Sequence, residues 1–259
     1  MIKEDYNQEF VNSVWEKVWQ ESNSSPKNIF KNHLFFEAWK VIEKYIPSDS
    51  KIILEAGGGG GRFGLKIAEE LNNSQIIIID IVDSALDLIK RTADKMRLNN
   101  VSILKDDVLK LSFPDNYFDV IISDAVIQHV SDDARAVKEM ARVLKPGGIL
   151  IVSVVNFWNF HMLYKKWLNL IGRQYEYKSE RSYRKSDLRK LFEKQQIKII
   201  AEDGFYPAYG ILRLKKYNKI FKFIGRICNR IVKFLDKITN RFFSKNFGFE
   251  IVIIGKKSF

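Results

Sequence analysis

The residues of this chain best suited to chemistry fall in a fixed order. Glu55 stands two positions ahead of Gly57, the first of five consecutive glycines that end at Gly61. Asp80 closes an apolar run further on, Asp107, Val108 and Asp124 follow later runs, and His129 comes just after. Glycines give a backbone access to positive φ and let a ligand approach its N–H groups, because no Cβ stands in the way. Five in a row are costly to order, so a ligand-binding turn explains them better than a loose connection. Gly59-x-Gly61-x-x-Gly64 satisfies the dinucleotide pattern, which by itself is a weak signal. Glu55-x-Gly57-x-Gly59-x-Gly61 fits equally well. A carboxylate beside the loop disfavours a pyrophosphate and favours a cationic or hydroxyl-bearing ligand. Asp80 lies about 20 residues past the glycines, where a carboxylate can accept both hydroxyls of a ribose. Asp83 and Ser84 are the better caps for the helix that follows it.

The elements that must hold these groups are legible from periodicity. Ile52–Leu54 is an apolar run before the glycines, and Arg62–Leu71 turns helical with Phe63, Ile67 and Leu71 on one face. Gln75–Asp80 is apolar throughout except at its ends, the pattern of a parallel strand covered on both faces. A helix over 84–98 leads to a strand at Val101–Leu104. The turn Phe113-Pro-Asp-Asn116 leads to another at Tyr117–Ser123. After a helix from about Ser131 to Val143, Lys145-Pro-Gly-Gly148 turns into Ile149–Val155. Strands alternating with helices at this spacing predict an open parallel sheet.

Taken together these motifs resemble a class I S-adenosylmethionine-dependent methyltransferase of the small-molecule type, over about residues 50–155. The resemblance rests on Glu55 with the glycines, Asp80, Asp107-Val108, the stretch Phe113–Ser123, Gln128-His129-Val130 and Arg142–Gly148. It implies an α/β, Rossmann-like, seven-stranded and mostly parallel sheet whose last strand is antiparallel, with helices on both faces. It implies S-adenosyl-L-methionine as cofactor, a molecule with an ammonium, a sulfonium and a ribose but no phosphate. It assigns Glu55, Gly57, Gly59 and Gly61 to the methionine part, Asp80 to the ribose, and Asp107 with the Val108 N–H to the adenine. Asp124, at the end of the fourth strand, belongs to the same cofactor-binding set. Ser186–Phe192 then reads as a helix, Gln196–Ala201 as strand six and Phe249–Ile254 as strand seven.

Displacement at a sulfonium methyl mainly requires alignment and exclusion of water, and a base only where the acceptor must lose a proton. His129 is the one histidine near the expected cleft. It is open to two roles, a general base or a packing residue at the cofactor's edge. No Cys/His cluster suggests a metal, and the single Cys228 excludes an internal disulfide. The acceptor is expected to be a small molecule, a glycan or a lipid-linked molecule attacking through O or N. The segment Ser123-Asp-Ala-Val-Ile127 lacks the Asn/Asp-Pro-Pro-aromatic loop of many base-amine methyltransferases, which demotes nucleic acid (RNA) as the acceptor. A nicotinamide-dependent oxidoreductase and a non-catalytic cofactor-binding module are further readings, and Asp107-Val108 counts against the first.

The remainder of the chain decorates this unit. Residues 1–48 are expected to be a helical extension, with helices at 6–21 and 28–46 whose aromatics either pack or form a lid. Residues 49–259 form the domain, with substrate-cover insertions at about 156–185 and 206–247. Between Ile211 and Lys245 lie eleven basic residues and one acid, so most of the formal charge of +12 is local. Lys222, Arg226, Arg230, Lys233 and Lys237 recur every three or four positions, which predicts a basic amphipathic helix over 211–243, or two broken near Gly225. It is expected to meet an anionic membrane surface or nucleic acid, or to lie on the sheet with its lysines in water. The polar opening residues and the lack of a long apolar stretch lead to the expectation of a cytoplasmic protein.

Overall fold

The computed structural model of the protein describes residues 8–21, 30, 33–173, 180–213 and 220–259. Part of the basic segment, including Lys215 and Lys219, lies outside them. In chain order the elements are α1 (Gln8–Gln20), α2 (His33–Ile42), β1 (Ile52–Ala56), α3 (Arg62–Glu70), β2 (Gln75–Asp80), α4 (Asp83–Met96), β3 (Val101–Lys105) and β4 (Phe118–Asp124). A 3₁₀ turn (Ile127–His129) then precedes α5 (Asp133–Val143), β5 (Leu144–Val155), α6 (Phe160–Leu170), α7 (Lys185–Glu193) and β6 (Ile197–Phe205). They are followed by α8 (Tyr209–Arg213), α9 (Ile220–Ile238), α10 (Phe242–Phe247) and β7 (Glu250–Lys257).

The strands form one sheet in the order β3-β2-β1-β4-β5-β7-β6. β1 to β5 pair in parallel, and β7 runs antiparallel between β5 and β6. The inner parallel strands are buried on both faces, which is why they read as unbroken apolar runs, whereas the edge strand β3 is only half-buried. On one face Leu54, Ile79, Ile121 and Val152 pack with α5 and α7 residues such as Val137, Met140, Leu188 and Phe192. On the other, Ile53, Ile78, Ile122 and Ile254 pack with Phe63 and Ile67 of α3 and Ile89 of α4. Phe35, Trp39, Val41 and Ile42 of α2 join this second core, Phe35 meeting Phe63 edge-on at 5.2 Å between ring centres.

Two local expectations are corrected, and of the two alternatives at Gly225 the structure has the unbroken one. The residue capping α4 is Val82, with no side-chain cap, and the Ser84 hydroxyl donates instead to the Glu16 carbonyl of α1. β6 runs on to Phe205 because β7 offers it a full antiparallel partner. α9 passes through Gly225 unbroken. The glycine is there because Leu212 of α8 crosses so closely that a Cβ would lie 2.6 Å from its methyl carbon.

Candidate functional site

β1, β2 and β4 each carry an acid at or next to their last residue, at the same edge of the sheet, and those acids open into one cavity of about 450 Å³. Its lining includes Glu55, Gly57, Gly59, Asp80, Asp107, Val108, Asp124 and His129, so the structure brings together every expected site residue except Gly61. Gly61 sits at the N-cap of α3 with φ +66°, packed on Ile89, where its work is to turn the chain.

Glu55 reaches under the glycine turn and accepts from the first helical N–H groups of α3, Gly64 N at 2.8 Å and Phe63 N at 3.3 Å. These are donors a helix leaves unsatisfied, so the acid fastens the start of α3 to β1. Burial pushes its carboxyl up to about 8 against those hydrogen bonds, with neighbouring Asp124 adding to the rise. Asp80 accepts from Gly59 N at 2.7 Å and from Val82 N at 3.0 Å, tying the glycine loop to the end of β2. Burial raises its carboxyl too. Asp107 accepts from Leu109 N at 2.9 Å, a turn that presents Val108 to the cavity.

Beyond this half the cavity continues between α1, the 3₁₀ turn and the start of β7. His129 is 8% exposed and meets Trp15 of α1 edge-on at 5.0 Å between ring centres. Burial pushes its pKa down to about 4, so the ring is neutral near pH 7. Its position is fixed by Gln128, which lies 3.1 Å from the His129 Nε2 and accepts from Val155 N at 2.7 Å. Arg181 clamps the same turn, donating to the Ile127 and Val130 carbonyls. Trp15 stacks on Trp19, whose ring lies against Gly59: a Cβ there would come within 2.6 Å of it. Thus α1 roofs the cavity, whereas Phe35 and Trp39 of α2 are core.

Glu250 was not legible as a site residue. It heads β7, the antiparallel strand, so its first residue arrives where the parallel strands end. Its buried carboxyl is hydrogen-bonded to Asp124, which also accepts from the Ser153 hydroxyl. Burial, then the charge of Asp124, hold Glu250 well above the ordinary carboxylate range, as expected where two carboxyls share one proton. The amides of Asn156 and Asn159 donate to carbonyls of Asn246, Gly248 and Phe249 and so set the start of β7. The only sequence signal was an acid opening an apolar run at Phe249-Glu250.

Comparison with known proteins agrees with this geometry. A family described as "Methyltransferase domain" matches residues 47–204, which hold β1 to β5 and nearly all of β6. The ubiquinone/menaquinone biosynthesis C-methyltransferase of Proteus mirabilis is 30% identical over 184 residues, 62% of this chain and 70% of that protein. Its counterpart in Shewanella frigidimarina is 37% identical over 118 residues, 44% of this chain and 47% of that one, so the chain spans about half of such relatives. Among solved structures, phosphoethanolamine N-methyltransferase 2 of Haemonchus contortus, in complex with S-adenosyl-L-methionine, aligns with a TM-score of 0.63 at 14% identity, covering 95% of this chain and 60% of that one. A SAM-dependent methyltransferase of Aquifex aeolicus aligns at 0.58 with 14% identity, covering 90% and 99%. An acid-edged parallel sheet with one antiparallel strand set between β5 and β6, together with the family match across most of it, makes the chain a member of the class I S-adenosylmethionine-dependent methyltransferases.

Proposed function

We propose that this enzyme methylates a small-molecule or lipid-linked acceptor enclosed between α1 and the start of β7. The observation that supports this reading is a single cavity with two chemically different halves. One is an acid and glycine cradle at the ends of β1 and β2. The other is walled by Trp15, His129, Tyr209, Phe249 and Glu250.

The first half fits S-adenosylmethionine. Gly57 and Gly59 have positive φ, and their Cβ positions are filled by Val126 and by Trp19, so backbone approaches the space closely. Carboxylates suit an ammonium and ribose hydroxyls and would repel a pyrophosphate. In this reading Glu55 and the Gly57–Gly59 backbone hold the methionine part, Asp80 the ribose, Asp107 and Val108 the adenine, and Asp124 the neighbouring wall. The bound cofactor supplies an electrophilic methyl group on sulfur. The protein's part is to orient the acceptor, exclude water beneath α1, and take a proton where the acceptor must lose one.

Two groups are placed for the proton. His129 is neutral at physiological pH and faces the cavity beneath Trp15. Glu250 faces the same space in its hydrogen bond with Asp124, its carboxyl raised well above the ordinary carboxylate range by burial and by that neighbouring charge. The activity named for the relatives, C-methylation in quinone biosynthesis, adds an activated ring carbon to the O and N nucleophiles a pocket of this kind would serve.

The test is transfer of isotope-labelled methyl from S-adenosylmethionine, read by mass spectrometry, to water-soluble quinols, phenols and amines, with an RNA mixture as the rival. Labelling of a small acceptor, reduced in Glu250→Gln and His129→Ala, is the expected result. Label appearing in RNA alone would overturn the proposal.

A further inference from the structure

Helix α9 is built inside out for a surface helix. Phe223, Phe234 and Ile238 are 65%, 64% and 68% exposed, and Ile220, Ile227 and Ile231 are exposed with them. Its buried residues are Gly225 and Asp236. Gly225 meets Leu212 of α8, and the Asp236 carboxylate accepts from the Phe243 and Ser244 N–H groups at the start of α10. An amphipathic helix of a globular protein normally turns its apolar stripe to the core and its charges to water. Here a glycine and an acid make the fixed edge, and the large apolar side chains point away from it.

Helical geometry shows how the faces are divided. With 3.6 residues per turn, those six apolar residues fall within an arc of about 80°. Lys222, Arg226, Arg230, Lys233 and Lys237 fill the adjoining arc, also about 80° wide, between that band and the edge held by Gly225 and Asp236, and Lys233 pairs there with Glu37 of α2 at 2.7 Å. The helix thus presents an apolar band bordered along its length by cations, and its one acid is turned inward.

We propose that α9 docks the enzyme on an anionic lipid bilayer, its apolar band entering the acyl boundary and its basic arc meeting the phosphates. Charge complementarity selects this occupant. A bilayer of anionic lipid offers a hydrocarbon layer beneath a plane of negative charge, in the same order as the two arcs. A second copy, meeting this face through the same patch, would bring cations where the basic arc needs anions. An oligonucleotide would satisfy the basic arc and leave the apolar band in water. No helix among the described residues is long and apolar enough to cross a membrane, so the contact is with the surface. α8 packs on both α9 and α6, and α6 adds exposed Leu163, Trp167 and Leu170 to the same helical group. Tyr209 of α8 lines the cavity, so a docked α9 would set the cavity near the lipid.

The experiment is cosedimentation of the full chain with vesicles of phosphatidylcholine alone or with one third phosphatidylglycerol, at low and high salt. Binding to the anionic vesicles should exceed binding to the neutral ones at least tenfold and should fall with salt. The Phe223→Ser/Phe234→Ser variant should lose at least tenfold in partition without a change in unfolding temperature, since both side chains are exposed. Should that variant fold poorly, Arg226→Glu/Arg230→Glu carries the same expectation through the basic arc. Calorimetric binding of S-adenosylmethionine by each variant reports an intact cavity separately from docking. Absence of vesicle binding would overturn the proposal, as would a dimer of the unaltered protein that the Phe223/Phe234 variant abolishes. Binding of RNA but not of vesicles would do the same.

Discussion

Cofactor binding should be coupled to release of a proton from Glu55. In the free protein burial holds this carboxyl at about 8, against an ordinary value of 4.5. A cationic group settling beside it favours the ionised form and lowers that value, so binding removes a proton and affinity must rise with pH. The rise continues until the pH passes the free-state value near 8 and then levels off. If only the ionised form binds well, affinity scales with its fraction, about one part in a hundred at pH 6 and one half at pH 8. Affinity should therefore improve about 50-fold across that interval, roughly 2.3 kcal/mol. Titration calorimetry at pH 6, 7 and 8, in buffers of different ionisation enthalpy, yields both the affinity and the protons released. Glu55→Gln should flatten the dependence, leaving only what Asp80 and Asp124, also raised by burial, contribute. A flat profile in the unaltered protein, or an undiminished slope in Glu55→Gln, would refute the reasoning.

Asp80→Ala removes the acceptor for Gly59 N and Val82 N as well as the proposed ribose contacts, and S-adenosylmethionine should bind on the order of 10–100-fold more weakly. An unchanged dissociation constant sinks that assignment. His129→Ala should lower kcat by roughly 10²–10³-fold while cofactor affinity stays put. Because burial holds His129 at about 4, its basic form is complete above pH 6, and any rise in kcat between pH 6 and 9 must come from another group. A stable and fully active alanine variant removes His129 from catalysis. Gly225→Leu should force α8 and α9 apart, costing about 1–3 kcal/mol, which thermal unfolding would register as a lowered midpoint.

The parallel half of the sheet was legible because its inner strands are covered on both faces and so read as apolar runs, as Gln75–Asp80 does. The glycine turn was legible because its composition has few structural uses. What Glu55 does was not: its partners, Phe63 N and Gly64 N, are eight and nine residues downstream and are chosen by how the turn closes. Glu250 was hidden for a related reason. An acid at the head of a strand reaches the cavity only if that strand runs backwards between β5 and β6, and no local pattern records direction. Gly225 reads as a helix breaker by propensity, yet close contact with Leu212 requires a small residue and helix α9 continues. The heptad-like spacing of α9 was plain in sequence, but which face is turned to the protein was not, since spacing alone does not distinguish an inward stripe from an outward one.

The position of β7 also bears on how such a chain is assembled during synthesis. β1 to β5 can pair as they emerge, each strand finding a neighbour already made. β6 cannot, because both its ladder and that of β5 on this side are formed with β7, which follows it by more than forty residues. While the helices between them are being translated, the edge of β5 and the whole of β6 stand with open hydrogen-bonding groups, and the carboxyl partner of Asp124 is missing. A nascent chain is therefore adhesive along one edge until a single strand slides in, closing the sheet and finishing the cavity in the same movement.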